Sequence, residues 1–517
     1  MPRDIPPCWN LSIPVGSQKA QPTLLSLAST VSLRESAGGS AQRTSNTRVA
    51  EYNKRTVIVN LARRAHDHNW ELDPITRSLL DTDFYKLLML QFIWKHFPGT
   101  RATFTLMNRS HDVPLGDIVD IRELREQLES TRKLRFHKSE LIWLAGNTFY
   151  GTRGIFEPAF LQWLERDFRL SDFDLSIHEG QISLRFEGRW TETTLWEIYA
   201  LSAIDELKTR ASLKRLSELE LDILYARAKT RLWEKMARLR GVPGLTVSDF
   251  GTRRRHSFLW QEYVVKAMSD VLGKTFIGSS NTYLAYTHDL EAIGTNAHEL
   301  PMAMAALANS DEELKQSQYR MLELWQQTYQ GELLIMLPDT FGTTQFLENA
   351  PDWVANWTGQ RIDSKDPYVA GDEYIAWLRQ RGRDPRSKRL IASDALDVDS
   401  ILGLYAYFGG SIRDGTTAAD FRNAADFLDE KKWLPHHRIG FSAGWGTYLT
   451  NDFRDCDPRG DSGFDPVSLV CKLSEVDGHP AVKLSDNYQK AMGPPDEIER
   501  YRRIFGSAGV ANVPVAV

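Results

Sequence analysis

Four short clusters hold side chains able to do chemistry. Residues 248–257 read SDFGTRRRHS, with Arg253, Arg254 and Arg255 adjacent. Guanidinium groups present forked donors that match phosphate or carboxylate, although a run of arginines also suits a solvated turn. Residues 294–299 read GTNAHE, placing Thr295, His298 and Glu299 within six residues. A neutral imidazole is a competent nucleophile, and a neighbouring carboxylate can fix its tautomer; a histidine in a loop can equally be structural. Residues 393–399 read SDALDVD and offer Asp394, Asp397 and Asp399. Such oxygens suit Mg²⁺ brought by a phosphorylated substrate, or the cap of a following helix. Residues 444–447 read GWGT, where Gly444 and Gly446 let backbone N–H groups approach an anion and Thr447 adds a hydroxyl. A ligand-free tight turn explains the same four residues.

The elements around these clusters have a common rhythm. From about 245 to 450 a short apolar run ends in a small polar group, and a helical stretch follows, as in LTVSDFGTRRR, TFIGSSN, ELLIMLPDTFGTT and RLIASDALDVD. Buried strands followed by helices predict βα units, hence a parallel sheet or barrel, with function on the loops after the strands. Before this region, residues 78–96 have helix-compatible spacing with Asp81 and Asp83 placed to cap the start. Residues 117–147 and 193–240 read as charged helices, and 182–190 alternate as a strand. Residues 409–437 read as an insertion built on an amphipathic surface helix, with His436 and His437 exposed.

Bulk properties exclude several classes. At 517 residues the chain is too long for one ordinary core. A net charge of −5 gives no basic field for nucleic acid or anionic membrane, and no apolar run is long enough to cross a bilayer. The three cysteines form no CxxC pair, which argues against a disulfide framework or a cysteine zinc site and predicts a reducing, cytoplasmic setting. Residues 1–56 are rich in Ser, Thr, Ala and Gly and predict a disordered extension; their excess of Arg and Lys is the one feature that suggests organelle import. Nucleotide signatures are absent, because Gly273-Lys274-Thr275 lacks the first glycine of a P-loop, Met268 standing in its place.

In their order along the chain the motifs resemble the nicotinate phosphoribosyltransferase family. The series runs LLDTDFYKLLMLQ, DFGTRRRHS, GSSN, IGTNAHELP, LPDTFGTT, GQRIDSKDP, SDALDVD, GWGTYLTND and KLSEVDGHPAVKLSDNYQK, within residues 70–505. LAGNTFYG and DFGTRRRHSFLWQ look most like its bacterial branch.

The resemblance implies an α/β fold. It has an N-terminal α/β domain at 57–215, completed by 456–505, and an irregular α/β barrel of the type II phosphoribosyltransferase kind at 216–455, followed by a tail at 506–517. It also implies ATP-coupled transfer from phosphoribosyl pyrophosphate to nicotinate, with Mg²⁺ near Asp394 and Asp397, in a homodimer whose Tyr85 serves the neighbouring site. His298 matches the phosphorylated histidine, with Glu299 or a nearby acid orienting its ring and Asp394 near the ribose. Tyr85, Thr295 and Arg361 match nicotinate contacts; Arg253, Arg254, Ser393, Gly444, Gly446 and Thr447 match contacts to phosphoribosyl pyrophosphate. Lys365 and Tyr488 depart from the family's usual Gly and Pro and put local substrate geometry in question.

Overall fold

The computed structural model describes residues 74–149, 151 and 153–512. The expected disordered extension, 1–56, lies outside them. In chain order the strands are β1 (Arg101–Asn108), β2 (Phe173–His178), β3 (Gln181–Arg189), β4 (Val247–Asp249), β5 (Phe276–Ser279), β6 (Ile335–Met336), β7 (Gly359–Ile362), β8 (Arg389–Ala392), β9 (Ser411–Ile412), β10 (Trp433–Leu434), β11 (Gly440–Trp445), β12 (Leu469–Val476) and β13 (His479–Pro480). They form a five-stranded sheet in the order β13-β12-β1-β3-β2, a six-stranded sheet in the order β5-β4-β11-β8-β7-β6, and the pair β10-β9.

Every ladder of the first sheet is antiparallel. β3 shows why: its even-numbered residues are buried and its odd-numbered ones mostly exposed, the period-2 pattern of a sheet with one wet face. Strand β12 comes from the far end of the sequence and pairs with β1, Leu473 lying opposite Phe104.

Every ladder of the second sheet is parallel. Its strands are short and mostly buried, as expected where helices cover a parallel sheet. The segment 292–296 spans the two edges of this sheet. Ala292 pairs in parallel with Ser279, the last residue of β5, and Asn296 Nδ2 donates to the Ile335 carbonyl of β6 at 2.9 Å. One of the two edge contacts is therefore a side-chain hydrogen bond and not a strand ladder. All four chemical clusters fall at or just beyond the C-terminal ends of this sheet's strands or on this spanning segment.

Two local expectations need correction. The first helix among the described residues is Phe84–His96, but Asp83 does not cap it with its side chain. Asp83 instead accepts from Ser280 Oγ at 2.7 Å, and Asp81 takes both Nη groups of Arg255 at 2.7 and 2.8 Å. Ten consecutive residues, Phe84–Ile93, are buried, so this is a core helix with no wet face, and its acids serve tertiary partners. The insertion at 409–437 is not built on one amphipathic helix. It contains the β9–β10 pair and a five-residue helix, Ala424–Leu428, with Phe421, Phe427 and Trp433 buried. Asn423 caps that helix and Asp429 ends it; short polar side chains that compete for backbone groups favour such caps and turns. His436 and His437 are exposed, as expected.

Candidate active site

A cavity opens at the C-terminal ends of the parallel strands. It is bordered by Tyr85, Arg253, Arg254, His298, Arg361 and Asp394 among others. Five segments separated by up to 309 residues (Tyr85 to Asp394) thus converge on one space. Gly294 permits the closest approach: a Cβ there would lie 2.8 Å from the Tyr85 backbone nitrogen. Thr295 follows in the same loop and is half-buried, but it is not among the residues bordering the cavity.

His298 immediately precedes the helix Glu299–Ala306 and is 5% exposed. Its Nδ1 is 2.9 Å from Thr340 Oγ1, and its Nε2 is 3.0 Å from Asp363 Oδ2 and 3.0 Å from Lys483 Nζ. Burial and the Lys483 charge lower the affinity of the ring for a proton, against the pull of Asp339 and Asp363. The imidazole is therefore neutral at pH 7 and carries a lone pair. Burial alone would raise the Asp363 carboxyl; the His298 hydrogen bond, Lys483 and Arg361 outweigh it and hold it well below the usual carboxylate range.

His298, Asp339 and Asp363 place potential ligand atoms within 4.8 Å of one another, the spacing of a metal site. The Lys483 ammonium already lies among them, 3.8 Å from Asp339 and 3.7 Å from Asp363. The cluster thus has an internal cation, and a divalent ion there would meet a like charge.

The three arginines divide sharply. Arg255 is fully buried in its pair with Asp81 and holds the structure. Arg253 borders the cavity and leans on Glu197 at 3.4 Å. Arg254 borders it too, donating to the Leu469 carbonyl at 3.1 and 3.3 Å; burial and the Arg253 charge bring its guanidinium down to about 10. Lys472, from β12, joins them and pairs with Glu197 at 2.7 Å. Burial, with help from Arg253, brings its ammonium down to about 8 even though Glu197 pulls upward. His256 faces elsewhere. It stacks on Phe453 with ring centres 3.6 Å apart, and its Nε2 is 3.1 Å from the Tyr225 hydroxyl.

On the opposite side, Ser393 Oγ donates to the Ile362 carbonyl at 2.7 Å, and Asp394 pairs with Lys490. Asp394 and Ala395 have φ of 73° and 48°, two successive left-handed residues that are not glycine. Such backbone costs on the order of 1–3 kcal/mol per residue and persists where surroundings impose it. Gly444 lies against the Phe250 ring, and Gly446 and Thr447 border the cavity at the end of β11.

The sequence model of the nicotinate phosphoribosyltransferase (NAPRTase) family matches residues 245–508, and that of its N-terminal domain matches residues 80–205. The chain belongs to the nicotinate phosphoribosyltransferase family. Solved structures agree. A nicotinate phosphoribosyltransferase from Vibrio cholerae is 29% identical, with 84% of this chain and 95% of that one covered at a TM-score of 0.69. One from Porphyromonas gingivalis is 26% identical, with 84% and 100% covered at 0.65. A Saccharomyces cerevisiae structure is also 26% identical, with 84% and 99% covered at 0.67. Bacterial and yeast relatives are about equally similar, so these similarities single out no branch.

Within this nicotinate phosphoribosyltransferase-family chain, one expected placement changes. Glu299 does not orient His298: its carboxylate accepts from Lys86 at 2.5 Å, Trp190 Nε1 at 2.6 Å and Thr194 at 2.7 Å. Successive residues at a helix start point about 100° apart, so sequence neighbours diverge. The acid that reaches the ring is Asp363. Tyr85 borders the cavity in the single chain, its backbone lying against the Gly294 loop. Asp397 caps the helix Val398–Gly409 through Ser400, and Asp399 pairs with Arg238, so Asp394 alone of the three borders the cavity. Lys365 also turns away, to Thr344 Oγ1 at 2.8 Å and Glu373 at 2.5 Å.

Sequence reasoning missed Asp363, Lys472, Lys483 and Lys490. A signal for Asp363 existed: it stands two residues after Arg361 at the end of β7, and strand periodicity sends both side chains to one face. The three lysines all lie in the closing motif KLSEVDGHPAVKLSDNYQK, but nothing in its spacing says that they reach the cavity.

Proposed function

We propose that this chain transfers the phosphoribosyl group from phosphoribosyl pyrophosphate to nicotinate, and that ATP drives the cycle through a phosphate carried on His298. The observation that carries the reading is a neutral, buried His298 at a cationic cavity, with Asp363 and Lys483 on its ring. A ring lone pair attacks the γ-phosphorus of ATP, and the bond to the departing ADP oxygen breaks with its electron pair. Asp363 stabilises the imidazolium that forms, and Lys483 is in reach of the phosphoryl oxygens. Water then cleaves the N–P bond and releases phosphate, making the coupled transfer effectively one-way.

In the transfer step the pyridine nitrogen bonds to the anomeric carbon as the carbon–oxygen bond to pyrophosphate breaks. Arg361 has Nη1 on the Asn296 carbonyl at 3.2 Å, while its buried Nε has no partner among the described residues. Donors therefore remain for the nicotinate carboxylate, beside Tyr85 and the Thr295 loop. Arg253, Arg254, Lys472 and the Gly446–Thr447 backbone supply charge and donors for the phosphates. Mg²⁺ bound with the pyrophosphate would supply charge neutralisation of the leaving group, and Asp394 is the acid of its loop that borders the cavity. The products are nicotinate mononucleotide and pyrophosphate.

The test is a panel of nicotinate, nicotinamide and quinolinate, each with phosphoribosyl pyrophosphate, with and without ATP. Mononucleotide formation from nicotinate, stimulated by ATP, is expected. Equal or greater activity with another pyridine, or indifference to ATP, overturns the corresponding half of the reading.

A further inference from the structure

Two of the cavity lysines, Lys483 and Lys490, sit on one loop. Lys483 touches His298, Lys490 pairs with Asp394, and Met492 also borders the cavity. Lys483 and Met492 close this loop with a reciprocal pair of backbone bonds at 3.0 and 2.8 Å. Between them only Tyr488–Lys490 form a helical turn. Nothing within such a loop fixes where a long lysine side chain ends; its position depends on what holds the backbone.

Two layers hold it. On one side Leu484 and Ser485 donate to the Thr340 carbonyl at 2.9 and 3.1 Å, and Asp486 accepts from Thr343 N at 2.8 Å and Oγ1 at 2.5 Å. On the other side lies the segment after the last helix, Pro495–Phe505. Ala511 N donates to the Asp486 carbonyl at 2.8 Å, and Tyr488 N donates to the Ala511 carbonyl at 2.9 Å. Gln489 Nε2 reaches Asn512 Oδ1 at 2.8 Å. This segment is seated through Gly509, at φ +72°, where an added Cβ would lie 2.3 Å from Thr344 Oγ1 and 2.9 Å from Lys365 Nζ. Thr344 and Lys365 are bonded to each other, and Lys365 to Glu373, so the seat is itself tied down.

We propose that residues 509–512 are a positioning element for the reaction: by pairing with Asp486–Gln489 they hold Lys483 and Lys490 at the cavity. They touch no reacting group themselves. Their contribution is pre-organisation, because a loop already ordered loses less freedom when an anion binds to its lysines. Lys365 acquires a role on this view as part of the seat for Gly509. The proposal rests on the function assigned above to the two lysines.

Two glycines of the same segment make the test. Gly506 and Gly509 both have positive φ, so alanine strains the backbone at either, but a Cβ at Gly506 meets nothing within 4 Å. Initial rates against phosphoribosyl pyrophosphate concentration, and ATP consumed per mononucleotide formed, are measured for the full chain and for Gly506→Ala, Gly509→Ala and Gly509→Ala with Thr344→Ala. Thermal denaturation gives the folded fraction that normalises kcat. Gly509→Ala is expected to raise KM for phosphoribosyl pyrophosphate about tenfold with a smaller change in kcat, and to raise ATP use per product. Gly506→Ala should stay within about twofold, since it shares only the backbone strain. Removing the Thr344 hydroxyl should restore most of the loss, and it provides a readable variant where Gly509→Ala alone folds poorly. A merely structural role would lower the folded fraction and leave KM unchanged. Equal KM values for Gly506→Ala and Gly509→Ala, or a double variant as impaired as the single one, overturn the proposal. An unsubstituted chain that makes no mononucleotide, by contrast, removes the assigned reaction itself.

Discussion

Replacing Arg361 by alanine removes the cation assigned to the nicotinate carboxylate. One of its donors is already spent on the Asn296 carbonyl at 3.2 Å, and its Nε is buried without a partner among the described residues. The guanidinium can thus give a carboxylate about one forked, charge-assisted contact. A hydrogen bond to a charged group contributes about 1.5–3 kcal/mol, which is roughly a tenfold to hundredfold rise in KM for nicotinate. The substitution also strips a donor from Asn296 and loosens the His298 loop. That second effect falls on every pyridine substrate alike, so it cancels in a ratio. The assay is therefore kcat/KM for nicotinate divided by kcat/KM for nicotinamide, in the unsubstituted chain, Arg361→Ala and Arg361→Lys. The ratio should fall by about tenfold to hundredfold in Arg361→Ala and by less in Arg361→Lys, which keeps charge without the fork. An unchanged ratio in Arg361→Ala refutes the assignment, whatever happens to the absolute rates.

Incubation with γ-labelled ATP should give an acid-labile, base-stable label that is lost in His298→Ala and kept in His256→Ala, whose ring is stacked on Phe453; the reverse pattern sinks the mechanism. Asp363→Asn should slow that labelling by about a hundredfold, the usual scale for removing a charged orienting group, while Glu299→Gln should act mainly on thermal stability. Burial brings the Lys472 ammonium down to about 8, so its charge is full below that pH and lost above it. KM for phosphoribosyl pyrophosphate should accordingly rise from pH 7 to 9, and Lys472→Arg should flatten the rise; a flat profile in the unsubstituted chain counts against this cation. His256 and His298 both bind protons less readily folded than their ordinary value of 6.5. The unfolded chain takes up those protons first, so stability should fall as pH drops below about 6.5, read as a falling denaturation midpoint.

Much of this arrangement follows from the sequence by itself. Short apolar runs ending in polar clusters marked the parallel strands, because a strand buried on both faces must be apolar throughout and its following loop must meet solvent or ligand. Period-2 alternation marked β3 for the complementary reason. These are local constraints, satisfied within a few residues. Tertiary structure alone decided which of several suitable side chains faces the cavity. Of three adjacent arginines, Arg255 leaves for Asp81, 174 residues away, while Arg253 and Arg254 remain at the site. Of the acids available to His298, the sequence neighbour Glu299 turns to Lys86 and Trp190, Asp339 stops at 3.6 Å, and Asp363, 65 positions on, takes the ring. Of three acids after β8, two serve a helix cap and a surface pair, leaving Asp394. A charge inside a protein must find a partner, and the best partner is set by where the chain returns in space; spacing along the chain carries no information about that return.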